Sequence, residues 1–376
     1  MKTTGRPDEK VYLRRDYLEA TLDRISAEAS ERDSDPSFPT EAFRELSVAG
    51  VLGLPVPDPV EEGGRGASFA EEWFALRAVS RADGSVGRIL DGHLNGVERV
   101  AALAPEPLRS GELGAVAAGE LLMGVWGADP IPGEGEPARL VDTSDGPVLE
   151  GVKTFCSGST GLDRALVLVR APEGARPGPP LLAYVDLGEG VEVNESWFRG
   201  YGMRSSQSHK IIFHQTPVLA VLGEPGELLR EPYFSRDAIR TAATWAGVAD
   251  RAIDSALSTL AAKSGSEPDD IVSLAAGKML AARSTMNRWF EYAARRADAD
   301  PSASLASFSI HMRQSIAAGC REILDEAARA CGSRPFATAD DLDRAKRDLD
   351  LFLLQHRLEP ALARAGRQSI LERGKQ

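Results

Sequence analysis

The sequence predicts an α+β protein in three parts: an N-terminal helical domain over residues 1–118, a small antiparallel β-barrel or sandwich over 119–232, and a C-terminal four-helix bundle over 233–376. Two observations carry this. Toward both ends of the chain, apolar residues recur every three or four positions, the period of a helix with one buried face. In the middle, short apolar alternations are split by Gly, Pro and Asp clusters, the pattern of short strands joined by turns.

In the first part, Val11 to Ala29 follows helical spacing, and Phe38-Pro39-Thr40-Glu41-Ala42-Phe43 sets a Pro and a Thr before a helical start. The polar run Glu31-Arg32-Asp33-Ser34-Asp35-Pro36 between them reads as a loop, and Phe69 to Leu103 supplies two more helices. Glu61-Glu62-Gly63-Gly64-Arg65-Gly66 is glycine-rich, yet no apolar strand precedes it and Walker or Rossmann spacing is absent, so it reads as a turn. In the second part, Leu166-Val167-Leu168-Val169 and Leu181-Leu182-Ala183-Tyr184-Val185 are strands, with Gly and Pro gathered at 131–137 and 172–180. In the third, the stripe Phe308, Met312, Ile316, Cys320, Ile323, Ala327 and Ala330 marks one bundle helix. Asp237 to Ala262, Ile271 to Arg296 and Ala339 to Leu354 supply the others.

Composition narrows the function. Of 376 residues, 43% are hydrophobic and 27% charged, as in soluble globular proteins. The net charge of -12 excludes a nucleic-acid backbone as main partner, which needs clustered Lys and Arg, but leaves room for a phosphate-bearing ligand met by a few local Arg residues. Met1 to Lys10 lacks the apolar core of a signal peptide, and no apolar run approaches the roughly 20 residues that span a bilayer. A cytoplasmic protein with no membrane partner is expected. Three scattered cysteines and five histidines without metal-ligand spacing predict neither disulfides nor a metal site.

Two segments of the middle part suit one flat aromatic ligand: Gly151-Val152-Lys153-Thr154-Phe155-Cys156-Ser157-Gly158 and Gly202-Met203-Arg204-Ser205-Ser206-Gln207-Ser208, the latter leading into Ile211, Ile212 and Phe213. A flavin needs flat packing surface, hydrogen-bond donors at its nitrogen and carbonyl edge, and neutralisation of its phosphates. Phe155 offers a ring, Ser157 a hydroxyl two residues on and so on the same side of a strand, and Arg204 a cation. Each also has a plainer reading: Phe155 and Trp126 as core, Ser157-Gly158 as a turn, Arg204 as a surface ion pair.

These segments resemble the acyl-CoA dehydrogenase superfamily of flavoproteins. Leu149 to Gly158 is similar to its "L-N-G-x-K-x-[WF]-I-[TS]-N", and Gly202 to Ser208 to its "G-[LM]-R-x-S-x-[ST]". Phe38 to Gly66 resembles its "F-P-x-E-x-x-x-x-L-x-x-x-G", and Arg344 to Asp348 its "R-x-x-R-D". The resemblance implies FAD as cofactor, with FMN also admitted. Phe155 would pack near the isoalloxazine, Ser157 would bond near its N5, and Trp126, within Gly124 to Gly127, would lie along the pyrimidine side. Cys156 falls beside the site as a small strand filler. A homodimer or homotetramer is implied, because the family builds its FAD site from two subunits.

The pattern breaks in two places. The family's "Y-E-G" Glu, which removes an α-proton, would stand nine residues after Arg347, where the chain has His356; Glu359 follows three residues later. Relatives that carry the base on the first bundle helix, ten residues before a Gly, point to Asp237, which burial would have to make more basic. His356 reads either as a group near the oxygen chemistry or as a helix-end cap before Pro360. The "R-x-x-F-G" that meets the FAD pyrophosphate is missing from residues 261–270, where Lys263 is the one cation; Arg329 and Arg334 could compensate.

Three functions follow. The first is dehydrogenation of a small-molecule or acyl-thioester substrate by hydride transfer to flavin N5, with Asp237 as base and an electron-transfer partner. The second is flavin-dependent monooxygenation of a small metabolite with O2 and reduced flavin from a flavin reductase, with His356 near the oxygen. The third is a non-catalytic member of the fold.

Overall fold

The computed structural model describes residues 13–58, 66–172, 178–265, 267–355 and 357–374. His356, most of the glycine-rich run at 61–66 and the centre of the Gly/Pro run at 172–180 lie outside the described residues.

Among the described residues five helices come first: α1 (Arg15–Ser34), α2 (Thr40–Val48), α3 (Phe69–Ala82), α4 (Gly84–Leu103) and α5 (Leu108–Ala118). The expected loop at Glu31–Pro36 is instead mostly the last turn of α1. Arg32 finds partners both along the helix and beyond it, pairing with Glu28 at 2.9 Å and with Asp83, at the start of α4, at 3.0 Å. The chain leaves the helix just before Pro36, whose preceding residue is disfavoured in helical conformation. Ser68 and Glu71 form a capping box at the start of α3, and Asp83 caps α4 through the N–H groups of Ser85 and Val86. From Gly84 to Val100 α4 is buried almost on every side, so its charged residues must find partners inside the protein.

The strands are β1 (Met123–Trp126), β2 (Arg139–Thr143), β3 (Gly146–Cys156), β4 (Arg164–Val169), β5 (Leu181–Asp186), β6 (Val191–Asn194) and β7 (His209–Val221). They form one seven-stranded sheet, ordered β1-β4-β5-β7-β3-β2, with β6 also paired to β7. Every pair is antiparallel except β1 with β4, which runs parallel from Met123↔Arg164 to Trp126↔Val167. That departs from an all-antiparallel sheet. Parallel neighbours need a long connection, and the excursion through β2 and β3 supplies it.

The last part holds α6 (Tyr233–Ser264), α7 (Asp270–Ala299), α8 (Ala306–Cys331), the short α9 (Arg334–Ala337), α10 (Asp341–Phe352) and α11 (Glu359–Arg373). Helices α6, α7, α8 and α10 are the expected bundle; the stripe from Met312 to Ala327 is buried in it. Helix α11 buries no residue. The cores interlock. Phe69 and Trp73 of α3 pack with the bundle, while Ala243 of α6 packs with α1 to α4 and the sheet. Small residues allow this close approach: a Cβ on Gly247 of α6 would lie 2.3 Å from the Arg77 carbonyl oxygen of α3.

Candidate active site

The first predicted segment closes β3. Lys153 is buried, and its Nζ donates to Asp129 Oδ1 at 2.7 Å and to the Gly127 carbonyl at 3.3 Å. Thr154 N–H donates to the Ala128 carbonyl at 3.0 Å, so the stretch after Trp126 is laid against the end of β3. The ladder slips between Lys153 and Cys156, and Phe155 takes a left-handed φ of 52°. This corrects the expectation that Phe155 and Ser157 share one side of a strand. The slip breaks the alternation, β3 ends at Cys156, and Ser157 sits in the following turn.

The second segment folds as a single helical turn, Arg204–Ser206, between two more left-handed residues, Met203 (φ 53°) and Gln207 (φ 49°). Among the described residues five non-glycines have a left-handed φ, and these two segments hold three of them. Such backbone costs about 1–3 kcal/mol per residue and persists only where its surroundings fix it. Here the fixing contacts are visible. Met203 N–H donates to Asp348 of α10 at 2.5 Å, and Ser205 Oγ donates to the Arg32 carbonyl of α1 at 2.5 Å. Arg347 donates to the Tyr201 carbonyl at 2.6 Å and to Asp33 at 2.6 Å. A Cβ on Gly202 would lie 2.1 Å from the Arg347 carbonyl oxygen, so only glycine lets α10 approach. The "R-x-x-R-D" run is therefore the clamp on the Met203–Gln207 loop.

The two segments meet. Gly158 N–H donates to the Ser206 carbonyl at 2.8 Å, and Ser159 Oγ to the Gln207 carbonyl at 2.8 Å. Ser157 Oγ lies 2.9 Å from Ser208 Oγ, which lies 2.7 Å from Ser206 Oγ. Each serine brings one O–H, and two internal bonds use two of the three. Ser206 and Ser208 are buried, whereas Ser157 is partly exposed. Either serine of each pair can donate; with donation running from Ser206 to Ser208 to Ser157, the Ser157 O–H stays free for an acceptor from outside the chain.

Around this junction the remaining predicted residues divide. Phe155 is 50% exposed, its ring edge-on to Trp197 at 4.9 Å, with the Trp197 indole N–H held by Glu134 at 2.8 Å. An exposed, braced aromatic corner is what a flat ligand needs. Arg204 is half-buried and makes no ion pair among the described residues. Trp126 is buried, its indole N–H donating to the Ser157 carbonyl at 3.0 Å, so it braces the serine turn from behind. Cys156 is buried, and burial pushes its thiol well above the ordinary range. Arg329 is exposed and tied to Glu326 at 3.1 Å, and Arg334 is exposed at the start of α9.

Asp237 belongs to a charge network between α4 and α6. Its carboxylate meets Arg99 at 2.5 Å and Arg240 at 3.5 Å. Arg240, fully buried, also binds Glu72 at 2.6 Å and Glu98 at 2.8 Å, and Arg236 binds Glu98 at 2.8 Å. Burial pushes the Asp237 carboxyl up to about 7, against the pull of Arg99 and Arg240. His93 of α4 accepts from Met123 N–H at 3.2 Å through Nδ1, which leaves Nε2–H to donate to the Leu52 carbonyl at 3.1 Å. Burial lowers this imidazole to about 4, so it is a neutral tie between α4 and β1.

Sequence reasoning missed the parts played by Ser206, Ser208, Arg347 and Asp348, although all four lie inside the motifs above. It missed the α4–α6 network because charges on a helix read as a solvated face unless the helix is seen to be buried.

A family model described as "Acyl-CoA dehydrogenase, N-terminal domain" matches residues 7–120. The fold overlays FMN-bound TdsC from Paenibacillus sp. A11-2 with a TM-score of 0.80 over 93% of this chain and 95% of that one, at 20% identity. Residues 7–120 thus match the N-terminal domain of the acyl-CoA dehydrogenase family, and the described residues share the acyl-CoA dehydrogenase-like fold. The chain is 30% identical over 215 residues to dibenzothiophene monooxygenase of Rhodococcus erythropolis, a match covering 55% of this chain and 48% of that protein. It is also 30% identical over 278 residues to the amino sugar nitrososynthase RubN8 of Streptomyces rubradiris, covering 67% of this chain and 62% of that protein. The chain thus matches about half the length of the first of these relatives.

Proposed function

We propose that this protein is a flavin-dependent monooxygenase acting on a small metabolite. Bound reduced flavin would supply two electrons, so that one atom of O2 enters the substrate and the other leaves as water. A separate flavin reductase would deliver those electrons. The observation that carries the reading is the junction of the two strained segments, where the Ser206–Ser208–Ser157 chain ends at the partly exposed Ser157 hydroxyl, in the same two segments that carry Phe155 and Arg204. Ser157 would donate to the flavin's nitrogen edge, Phe155 and Trp197 would pack on the flat ring system, and Arg204 would face its carbonyl or phosphate charge. The missing "R-x-x-F-G" fits FMN, or an FAD held loosely at its adenosine end.

Monooxygenation ranks above dehydrogenation because it needs no carboxylate base, and both oxygens of Asp237 face arginines. The names of the matched relatives, a monooxygenase and a nitrososynthase, support the same choice. One observation favours the second reading, α-proton removal by Asp237: its carboxyl titrates near 7.

The test begins with FMN fluorescence quenching by the purified protein. Photoreduced FMN is then mixed with isotopically labelled O2 and indole or dibenzothiophene as probes. Label in an oxygenated product is expected. Anaerobic bleaching of bound FAD by butyryl-CoA, lost in Asp237→Asn, would overturn the oxygenase reading in favour of dehydrogenation. A homodimer or homotetramer belongs to the same proposal. Exposed Ile271 and Leu274 on α7, with Ile370 and Leu371 on α11, support it, and a single-chain mass in light scattering would overturn it.

A further inference from the structure

We infer that Arg313 of α8 anchors an oxyanion substituent, a carboxylate or phosphate, on the substrate of this site; the inference rests on the flavin reading above. Arg313 is 9% exposed, and its Nε and Nη2 are buried without a hydrogen-bond partner among the described residues. Its guanidinium lies over the Trp245 ring of α6 at 5.2 Å. That contact satisfies the face of the cation and leaves the in-plane N–H donors unused.

The acids nearby are already committed. Asp91 of α4 accepts from Arg88 at 2.8 Å, Asn95 at 3.0 Å and Thr241 at 3.2 Å. Glu72 and Glu98 are bound to Arg240 and Arg236, and Asp237 to Arg99. Glu72, Asp91, Glu98 and Asp237 thus face Arg88, Arg99, Arg236 and Arg240 in a balanced interior. Arg313 feels the charge of Asp91 but has no carboxylate in ion-pair contact among the described residues. Burial lowers its guanidinium to about 10, which still leaves it charged at neutral pH. A buried cation without a counter-ion is costly, and a planar fork of donors matches an oxyanion's two oxygens.

Its position ties it to the proposed flavin site. Trp245 meets Phe352 of α10 edge-on at 6.1 Å, and Phe352 lies under Arg88 at 5.6 Å. One turn back along α10, Asp348 holds the N–H of Met203, the residue before Arg204. Arg313, Trp245 and Phe352 therefore form a continuous run of contacts leading to the strained loop.

Calorimetric titration of the full chain with FMN present, using benzoate, phenyl phosphate and the neutral benzamide, tests this. At least one of the two anions is expected to bind, with benzamide weaker, and Arg313→Gln to weaken that anion by roughly 30-fold or more. Arg313→Lys should retain part of the preference, and FMN quenching should be unchanged in Arg313→Gln. Equal anion binding by wild type and Arg313→Gln, or no anion binding by wild type, would overturn the inference. So would loss of FMN in Arg313→Gln, which would assign the guanidinium to the flavin instead. If Arg313→Gln does not fold, Arg313→Met, which keeps the apolar stem, carries the same readouts. Failure of the flavin reading shows separately, as wild type that does not quench FMN.

Discussion

Asp348→Asn isolates the clamp on the strained loop. Asp348 is 4% exposed and accepts the Met203 N–H at 2.5 Å. Burial pushes its carboxyl from 3.8 up to about 7, with Asp83 and Asp33 adding to the rise while the Met203 N–H and Arg344 oppose it. The sign follows from proton counting. Between 3.8 and about 7 the folded chain keeps a proton that the unfolded chain has released, so stability is greatest below 3.8 and falls as pH rises toward 7. At about 1.4 kcal/mol per pH unit the whole window is worth about 4 kcal/mol, of which about 3 kcal/mol falls between about pH 5 and pH 8. The asparagine side chain imitates the neutral acid and keeps an oxygen that accepts from Met203, but does not titrate. Urea unfolding across that range, with an unchanged m-value, should therefore show wild type losing about 3 kcal/mol that Asp348→Asn keeps. The variant thus gains on wild type as pH rises. Parallel stability curves for the two proteins would refute the buried-carboxyl argument.

Gly202→Ala should destabilise by about 1–3 kcal/mol and weaken FMN binding, since its Cβ would lie 2.1 Å from the Arg347 carbonyl oxygen; urea midpoints and FMN titration check both. Gly111→Ala, with open space around its Cβ and a helical position in α5, serves as the control and should gain up to about 1 kcal/mol. Ser157→Ala leaves the Ser206–Ser208 bond intact, so FMN affinity should fall by about 0.5–1.5 kcal/mol with the melting temperature nearly unchanged. For His93, the folded imidazole is lowered from 6.5 to about 4, so stability is full above 6.5 and falls as pH drops toward 4, by about 3 kcal/mol. His93→Gln should be less stable near neutrality and lack that acid limb in urea unfolding.

The class of fold was legible because helical and strand periods in apolar residues are local. The stripe from Met312 to Ala327 and the runs at Leu166 and Leu181 are the buried elements that those periods predict. The two segments that meet at the candidate site were legible as turns, because turns that need Gly, Ser and small polar residues leave a compositional mark. Their internal geometry was not. Alternation would set Phe155 and Ser157 on one side, but the register slip at Lys153–Cys156 depends on how β7 meets β3. The chain's own sequence thus determined which stretches would be helix, strand and turn, and which short motifs would sit together in the middle part. Only the tertiary structure decided that Trp126 braces a serine turn, that Asp237 is held by Arg99 and Arg240, and that Arg313 is buried without an ion-paired acid among the described residues. The reason is that the burial and pairing of a charge depend on neighbours far away in sequence, and no local period records them.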